Sequence, residues 1–358
     1  MVPHVQGNIP PLTARDRYRN SRCNRWWTVL LCCLLLFVST ACRRKSDEAR
    51  AATITLYGFS VLREPLEGGV IPMFQQEWLK KTKQQVNFDT SYAGSEIVTN
   101  QIISGVEADV AIVAIERNAD RLVQPRVTSH EWRKLPYGGI VNKTPMVIVV
   151  RQGNPKRIRD FSDLAKPGIR LIQCDPVSSG AGQWSLLAAY GSELLKSEKE
   201  TGVRDTQRAE DLLLRIGKNV IATPDSARAA RTQFERGEGD ALITYELEAL
   251  QLSQKKYPAE MVMPPATIYS EHPVVIIDHI MSPQKYALVE VFVRSLWDRP
   301  AQEAWVKANL RAVIDEKLNA RFQQIQRPFY VADLGGWSKA YPEIIEGVWK
   351  QKVQSARQ

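Results

Sequence analysis

Between Asp175 and Trp184 the chain reads Asp-Pro-Val-Ser-Ser-Gly-Ala-Gly-Gln-Trp, with no charged side chain from Pro176 to Gln183. Small, hydroxylated and glycine residues in that order suit the binding of an oxyanion. Ser178 or Ser179 can cap a following helix, Gly180 and Gly182 leave the backbone open to a ligand, and the first helical N–H groups point outward. The same residues also suit an ordinary strand-to-helix turn with a serine cap, and this stretch alone does not choose between the two. Two further turns carry similar chemistry, at Ser95 and at Asp225-Ser226.

The elements that must position these turns follow from periodicity. Ile169–Cys174 is an apolar run that predicts a buried strand, and Trp184, Leu186, Leu187, Tyr190 and Leu194 predict a helix reaching about Lys196. Upstream, Thr53–Tyr57, Gln85–Tyr92 and Ala108–Ala114 read as strands. A helix from Val70 and another capped by Ser95, with Ile97, Val98, Ile102 and Ile103 on its buried face, lie between them. Such β-α-β-α-β alternation predicts a parallel sheet covered by helices. Lys143–Val150, Val220–Ala222 and Asp240–Tyr245 are further strands, and Ala227–Arg236 is a helix capped by Asp225-Ser226. Glu246–Gln254 is a helix, and the apolar His272–Ile277 crosses back to the first half. Ligands of open α/β sheets bind beyond the carboxyl ends of strands, where the turns at Ser95, Ser179 and Ser226 would converge. Each helix N-terminus carries about half a positive charge. About half a dozen N–H bonds to a charged acceptor would support micromolar affinity, near roughly −8 kcal/mol, after ordering costs.

Composition narrows the class. The 358 residues, 44% hydrophobic and 24% charged, are those of a globular chain long enough for two domains. The net charge of +9 owes much to Arg15, Arg17, Arg19, Arg22, Arg25, Arg43, Arg44 and Lys45, which flank one apolar run. No basic stripe interleaves with aromatics elsewhere, so nucleic acid is not an expected partner. The run Trp26–Cys42 is short for a membrane span and ends in small residues, as a secretory signal does. Ser39-Thr-Ala-Cys42 resembles the lipobox of bacterial lipoproteins, with Cys42 the lipidated residue; an uncleaved N-terminal anchor is the competing reading. Either places the body outside the cytoplasm. Of five cysteines only Cys174 lies in the body, where a buried inert thiol is expected.

Several stretches together resemble the sulfate/thiosulfate-binding family of bacterial ABC importers. They are Tyr92–Glu96, Gly105–Asp109, Val150–Lys156, Asp163–Gly168, Pro176–Ala181, Leu187–Gly191, Phe234–Asp240 and Gly335–Trp337. The resemblance implies a two-lobed α/β fold of the type II periplasmic-binding-protein class, each lobe a mostly parallel sheet flanked by helices, with the ligand cleft between them. It spans about Leu56 to Trp349. The expected boundaries are a signal peptide over 1–42 and a polar tether over 43–52. Lobe one takes 53–137 plus 272–358, and lobe two 138–271. The implied ligand contacts are the Ser95 N–H, the Ser179 hydroxyl, the N–H groups of Gly180, Ala181 and Ala227, and nearby Arg228. Tyr245 stands where the family places a tryptophan, Gly58 replaces an aspartate, and the following turn is extended through Phe59–Glu64. Ala181 stands in for a glycine, and Glu96 adds an acid beside Ser95.

The resemblance implies capture of sulfate or thiosulfate and delivery to an ABC permease, by a monomer held at the membrane through a lipid anchor. No cofactor, metal or catalytic residue is implied. Sulfate carries no proton at neutral pH and suits a donor-only pocket; phosphate keeps one and needs an acceptor, which Glu96 or Asp225 would supply if either reached the cleft. Molybdate and phosphate are the other oxyanions considered. A hydrolase of phosphate or sulfate esters could use the same cradle. It would need a base or metal, yet none of the four histidines has a metal-ligand spacing. A signalling ectodomain is a third class. Trp184, Trp297, Trp305 and Trp337 are expected in the core, and Arg228, Arg231 and Arg236 on a solvated helix face, with Arg228 beside the site.

Overall fold

A computed structural model describes residues 52–355. The expected signal peptide, Cys42 and almost all of the tether lie outside them. Ten strands form one sheet, in the order β2-β1-β3-β9-β4-β7-β5-β6, with β10 on β9 and β8 on β4. Strand β1 (Ala52–Phe59) lies parallel to both β2 (Val86–Ala93) and β3 (Val110–Ile112). Strand β5 (Leu171–Gln173) lies parallel to β6 (Val220–Ala222) and β7 (Ala241–Tyr245). These are the parallel sheets that the alternating pattern predicts.

Two long antiparallel strands join the parallel sets. The C-terminal part of β9 (Ala266–Ile276) pairs with β3, while its centre pairs with β4 (Ile140–Arg151), whose C-terminal half pairs with β7. The centre of β4 and β9 is polar as well as buried: Asn142, Thr144, Ser270 and His272 are all fully enclosed. β8 (Ala259–Val262) and β10 (Arg327–Phe329), four and three residues long, are too short to be read from periodicity.

The main helices are α1 (Ile71–Thr82), α2 (Ser95–Ile103), α3 (Glu116–Leu122), α4 (Gly180–Thr201), α5 (Thr206–Asn219), α6 (Ala227–Glu235) and α7 (Glu246–Gln254); α2, α4, α6 and α7 each follow a strand. α4 outruns its expected end and stops where Gly202 adopts a left-handed conformation. Of the four apolar residues expected on the buried face of α2, Val98 and Ile102 are buried, Ile97 is half-buried and Ile103 is exposed, so the apolar face is narrower than expected. All four expected core tryptophans are buried; Trp184 meets Trp337 edge-on at 4.8 Å and donates to the Ala114 carbonyl at 2.7 Å.

Candidate functional site

Three turns that end parallel strands meet at Gly94. A β-carbon there would stand 2.5 Å from the Ser178 carbonyl oxygen and 2.6 Å from that of Asp225, so only glycine fits. The N-termini of α2, α4 and α6 are thereby brought to one place. Asp175 N–H donates to Pro224 O at 2.8 Å, and the Ser178 hydroxyl reaches Asp225 O at 3.4 Å, tying the second and third turns together. The implied contacts other than Arg228, which is half-buried, are enclosed: Ser95 is 1% exposed, Ser179 3%, Ala181 2%, Ala227 2% and Tyr245 0%.

The serines do not cap as expected. Gly94, not Ser95, is the N-cap of α2, and the Ser95 hydroxyl accepts from Ala114 N–H (2.9 Å) while donating to Asn118 Oδ1 (3.0 Å). Ser179 holds the N-cap position of α4, yet its hydroxyl turns to the Cys174 thiol and accepts nothing from the helix. Ser178 donates instead to Asp175 Oδ2. Ser226 alone behaves as predicted, accepting from Ala229 N–H at 3.2 Å. The first N–H groups of α2 and α4 are therefore left without a side-chain acceptor, as are those of Ala227 and Arg228. Burial of so many unfilled donors is what an anion would satisfy.

The glycines also work differently from expectation. A β-carbon on Gly180 would meet that of Ala114 at 2.7 Å, and one on Gly182 would meet Asp175 and the Cys174 carbonyl at 2.6 Å. They allow close approach of the chain to itself, rather than an open path for ligand.

Sequence and fold comparisons agree with this geometry. Residues 54–311 match the family model described as bacterial extracellular solute-binding protein. The sulfate-binding protein of Synechococcus elongatus is 35% identical over 310 residues, covering 85% of this chain and 87% of that protein. The thiosulfate-binding protein of Escherichia coli K12 is 30% identical, covering 84% of this chain and 89% of that one. The solved sulfate-binding protein SubI of Mycobacterium tuberculosis H37Rv superposes with a TM-score of 0.73 at 31% identity, over 82% of this chain and 99% of SubI. The chain belongs to the sulfate/thiosulfate-binding family. A periplasmic thiamin-binding protein, at 16% identity and a TM-score of 0.62 over 85% of this chain and 97% of that one, shares the fold. That fold is the two-lobed type II periplasmic-binding class, its sheets flanked by helices.

Within this family member the back of the site is aromatic. Tyr245 ends β7 fully buried, and its hydroxyl has no hydrogen-bond partner although Ser270 neighbours it. Burial, together with the neighbouring Cys174, pushes the phenol well above its ordinary pKa, so it keeps its proton. Phe59 packs on His272 at 4.5 Å and edge-on to Tyr245 at 6.0 Å. Burial raises the Cys174 thiol to about 12, consistent with the inert role expected.

The acids stand apart from that wall. Glu96 accepts from Arg121 (2.5 Å), Arg117 (3.3 Å) and Gln183 (3.1 Å), and Asp225 has an exposed side chain. Arg228 is engaged by Glu64 in a two-pronged pair and by Glu248 at 3.3 Å. Burial opposes its charge, but the carboxylates of Glu64 and Glu248 together raise its pKa. Arg231 is not on a solvated face: it is 3% exposed and pairs with the buried Glu248 at 2.8 Å. A helix pattern alone does not reveal such a partner, because Glu248 lies on another element, α7. A cavity of about 460 Å³, lined by Arg63, Tyr92, Gly94, Asp225, Ser226 and Arg228, opens beside the junction. Phe59, Ser270 and His272, which pack around Tyr245, were not named from the sequence as site candidates; the extended turn after Gly58 was the one available hint.

Proposed function

We propose that this protein captures sulfate or thiosulfate and delivers it to an ABC permease. The observation that carries the reading is the meeting of three helix N-termini at Gly94, two of them, those of α2 and α4, with no side-chain cap. The anion would be held by the N–H groups of Ser95, Gly180, Ala181 and Ala227 and by the hydroxyls of Ser179 and Tyr245. Arg228 lies close by, but its charge is already matched by Glu64 and Glu248. Recognition therefore rests on dipoles and N–H donors rather than on a free cation. The names of relatives, sulfate-binding and thiosulfate-binding, support the choice of ligand.

Lobe one, residues 53–137 and 272–358, and lobe two, 138–271, close on the ligand by bending β4 and β9. The reading involves no covalent chemistry, and the protein acts as a monomer. Cys42 carries the lipid that tethers it at the extracytoplasmic face. Equilibrium dialysis of the purified chain against labelled sulfate and labelled thiosulfate tests the proposal. Retention of at least one at about micromolar concentration supports it, and retention of neither refutes it. Metabolic labelling with palmitate, lost in Cys42→Ser, tests the anchor.

A further inference from the structure

Two arginines near the junction have no acid to serve. The cavity of about 460 Å³ beside Gly94 is lined by Arg63, from the turn that follows β1, by Arg228 and Arg236, from α6 and its C-cap, and by a single acid, Asp225. Arg228 is neutralised by Glu64 and Glu248. Arg63 and Arg236 are both exposed, and among the described residues neither makes an ion pair. Arg63 lies over the Tyr92 ring, 5.1 Å from its centre, a contact that positions the guanidinium without neutralising it. The neighbouring acids are engaged elsewhere: Glu64 by Arg228, Glu67 by the Thr90 hydroxyl at 3.0 Å, and Glu235 by Lys255 at 3.7 Å. Two unmatched positive charges, from segments far apart in sequence, therefore face one recess.

We infer that Arg63 and Arg236 form an outer anion station, which collects the dianion at the mouth of the site before it passes to the N–H groups. The inference rests on the oxyanion reading proposed above and adds to it how the ligand arrives. The turns are in contact at Gly94, which packs on the Ser178 and Asp225 carbonyls, so a ligand meeting this form waits outside until they part. In that interval fixed positive charge in a recess raises the local concentration of anion. Because both guanidinium groups are exposed to water, the pair acts on the rate of capture and adds little to the affinity of the seated ligand. Asp225, on the same wall, opposes them. A cation at a helix C-terminus, where Arg236 stands, is favourable in any protein, so the experiment reads capture and not stability.

Stopped-flow mixing of the full chain with sulfate tests this at two ionic strengths: about 10 mM, where charges act over about 30 Å, and about 1 M, where they act over about 3 Å. The double variant Arg63→Gln/Arg236→Gln should associate about fivefold more slowly at low salt. Its release rate should be unchanged, and the difference in association should vanish at high salt. Arg63→Lys/Arg236→Lys, which keeps both charges, should stay within about twofold of the parent, and Asp225→Asn should associate faster at low salt. Equal association by the glutamine variant and the parent at low salt overturns the inference and leaves the sulfate reading intact. So does a deficit that persists at high salt, which would mark a structural role. A loss of affinity carried by faster release overturns it too, since that would place the arginines in the seat itself. If the parent chain binds neither sulfate nor thiosulfate, the oxyanion reading fails and the outer station falls with it.

Discussion

At the scale of single residues, one buried and one half-buried ionisable group give this protein a pH signature. His272, fully enclosed between Asn142 and Ser270, has its pKa lowered by burial to about 3. The unfolded chain therefore takes up a proton that the folded one refuses. Stability is complete above the unfolded histidine value of about 6.5 and declines as pH falls towards about 3. Glu271, the residue just before it, behaves oppositely: burial first, then the nearby charge of Glu116, raises it to about 7. Its folded form holds a proton that the unfolded carboxyl has lost, so it detracts from stability as pH rises through about 4.5 to 7. Urea melts should show Glu271→Gln stabilising the protein at about pH 8 and having little effect at about pH 4. A gain of equal size at both would contradict the assignment. Neither behaviour was legible from sequence, because the surroundings of His272 and Glu271 come from strands distant in the chain. The inert character of Cys174 was legible, since it stood inside an apolar run. Native-state alkylation by a thiol reagent should leave Cys174 unmodified, whereas denatured protein reacts.

At the scale of elements, the site is a property of three turns and not of any one. Sequence showed each strand-turn-helix unit, with small residues in the turns, and it showed the helix that Ser226 caps. It misassigned the caps at Ser95 and Ser179, whose hydroxyls serve Ala114, Asn118 and Cys174 instead. The reason is physical: a serine at a helix start has several acceptors and donors within reach, and only packing decides among them. Gly94 is where the units lock. Gly94→Ala would drive a β-carbon into two carbonyl oxygens, forcing the turns apart. We expect a stability loss of about 1–3 kcal/mol by thermal or chemical melting, together with loss of oxyanion binding. Thermal stability equal to the parent's would show that the junction is looser than described.

At the scale of the whole molecule, bonds join segments far apart in sequence around the site. Glu64 pairs with Arg228, Gln183 donates to Glu96, and Trp184 donates to the Ala114 carbonyl. If the lobes part to release ligand, these bonds must open. The Glu64–Arg228 pair is partly exposed, so its contribution is modest and screened by salt. Stopped-flow measurement of sulfate release should find Glu64→Gln faster by about threefold at low salt, with the difference shrinking at high salt. An unaltered release rate would mean that this pair does not guard the closed form. Sequence foretold the layered α/β architecture through alternating apolar runs, and family resemblance added the two-lobed form. The return of β9 to the first half was foretold from the apolar His272–Ile277, but the polar layer between β4 and β9 was not, since Asn142 and Ser270 lie outside the apolar runs that marked those strands.

Titration of the full chain with sulfate, beside its Gly94→Ala variant, tests the central claim most directly. The account predicts binding at about micromolar concentration or tighter, equal at about pH 6 and pH 8 because sulfate carries no proton and the N–H donors do not titrate. It also predicts loss of that binding in the variant. Sulfate heat that survives Gly94→Ala unchanged, or no heat from the parent chain, would contradict an oxyanion site at the junction of the three helices.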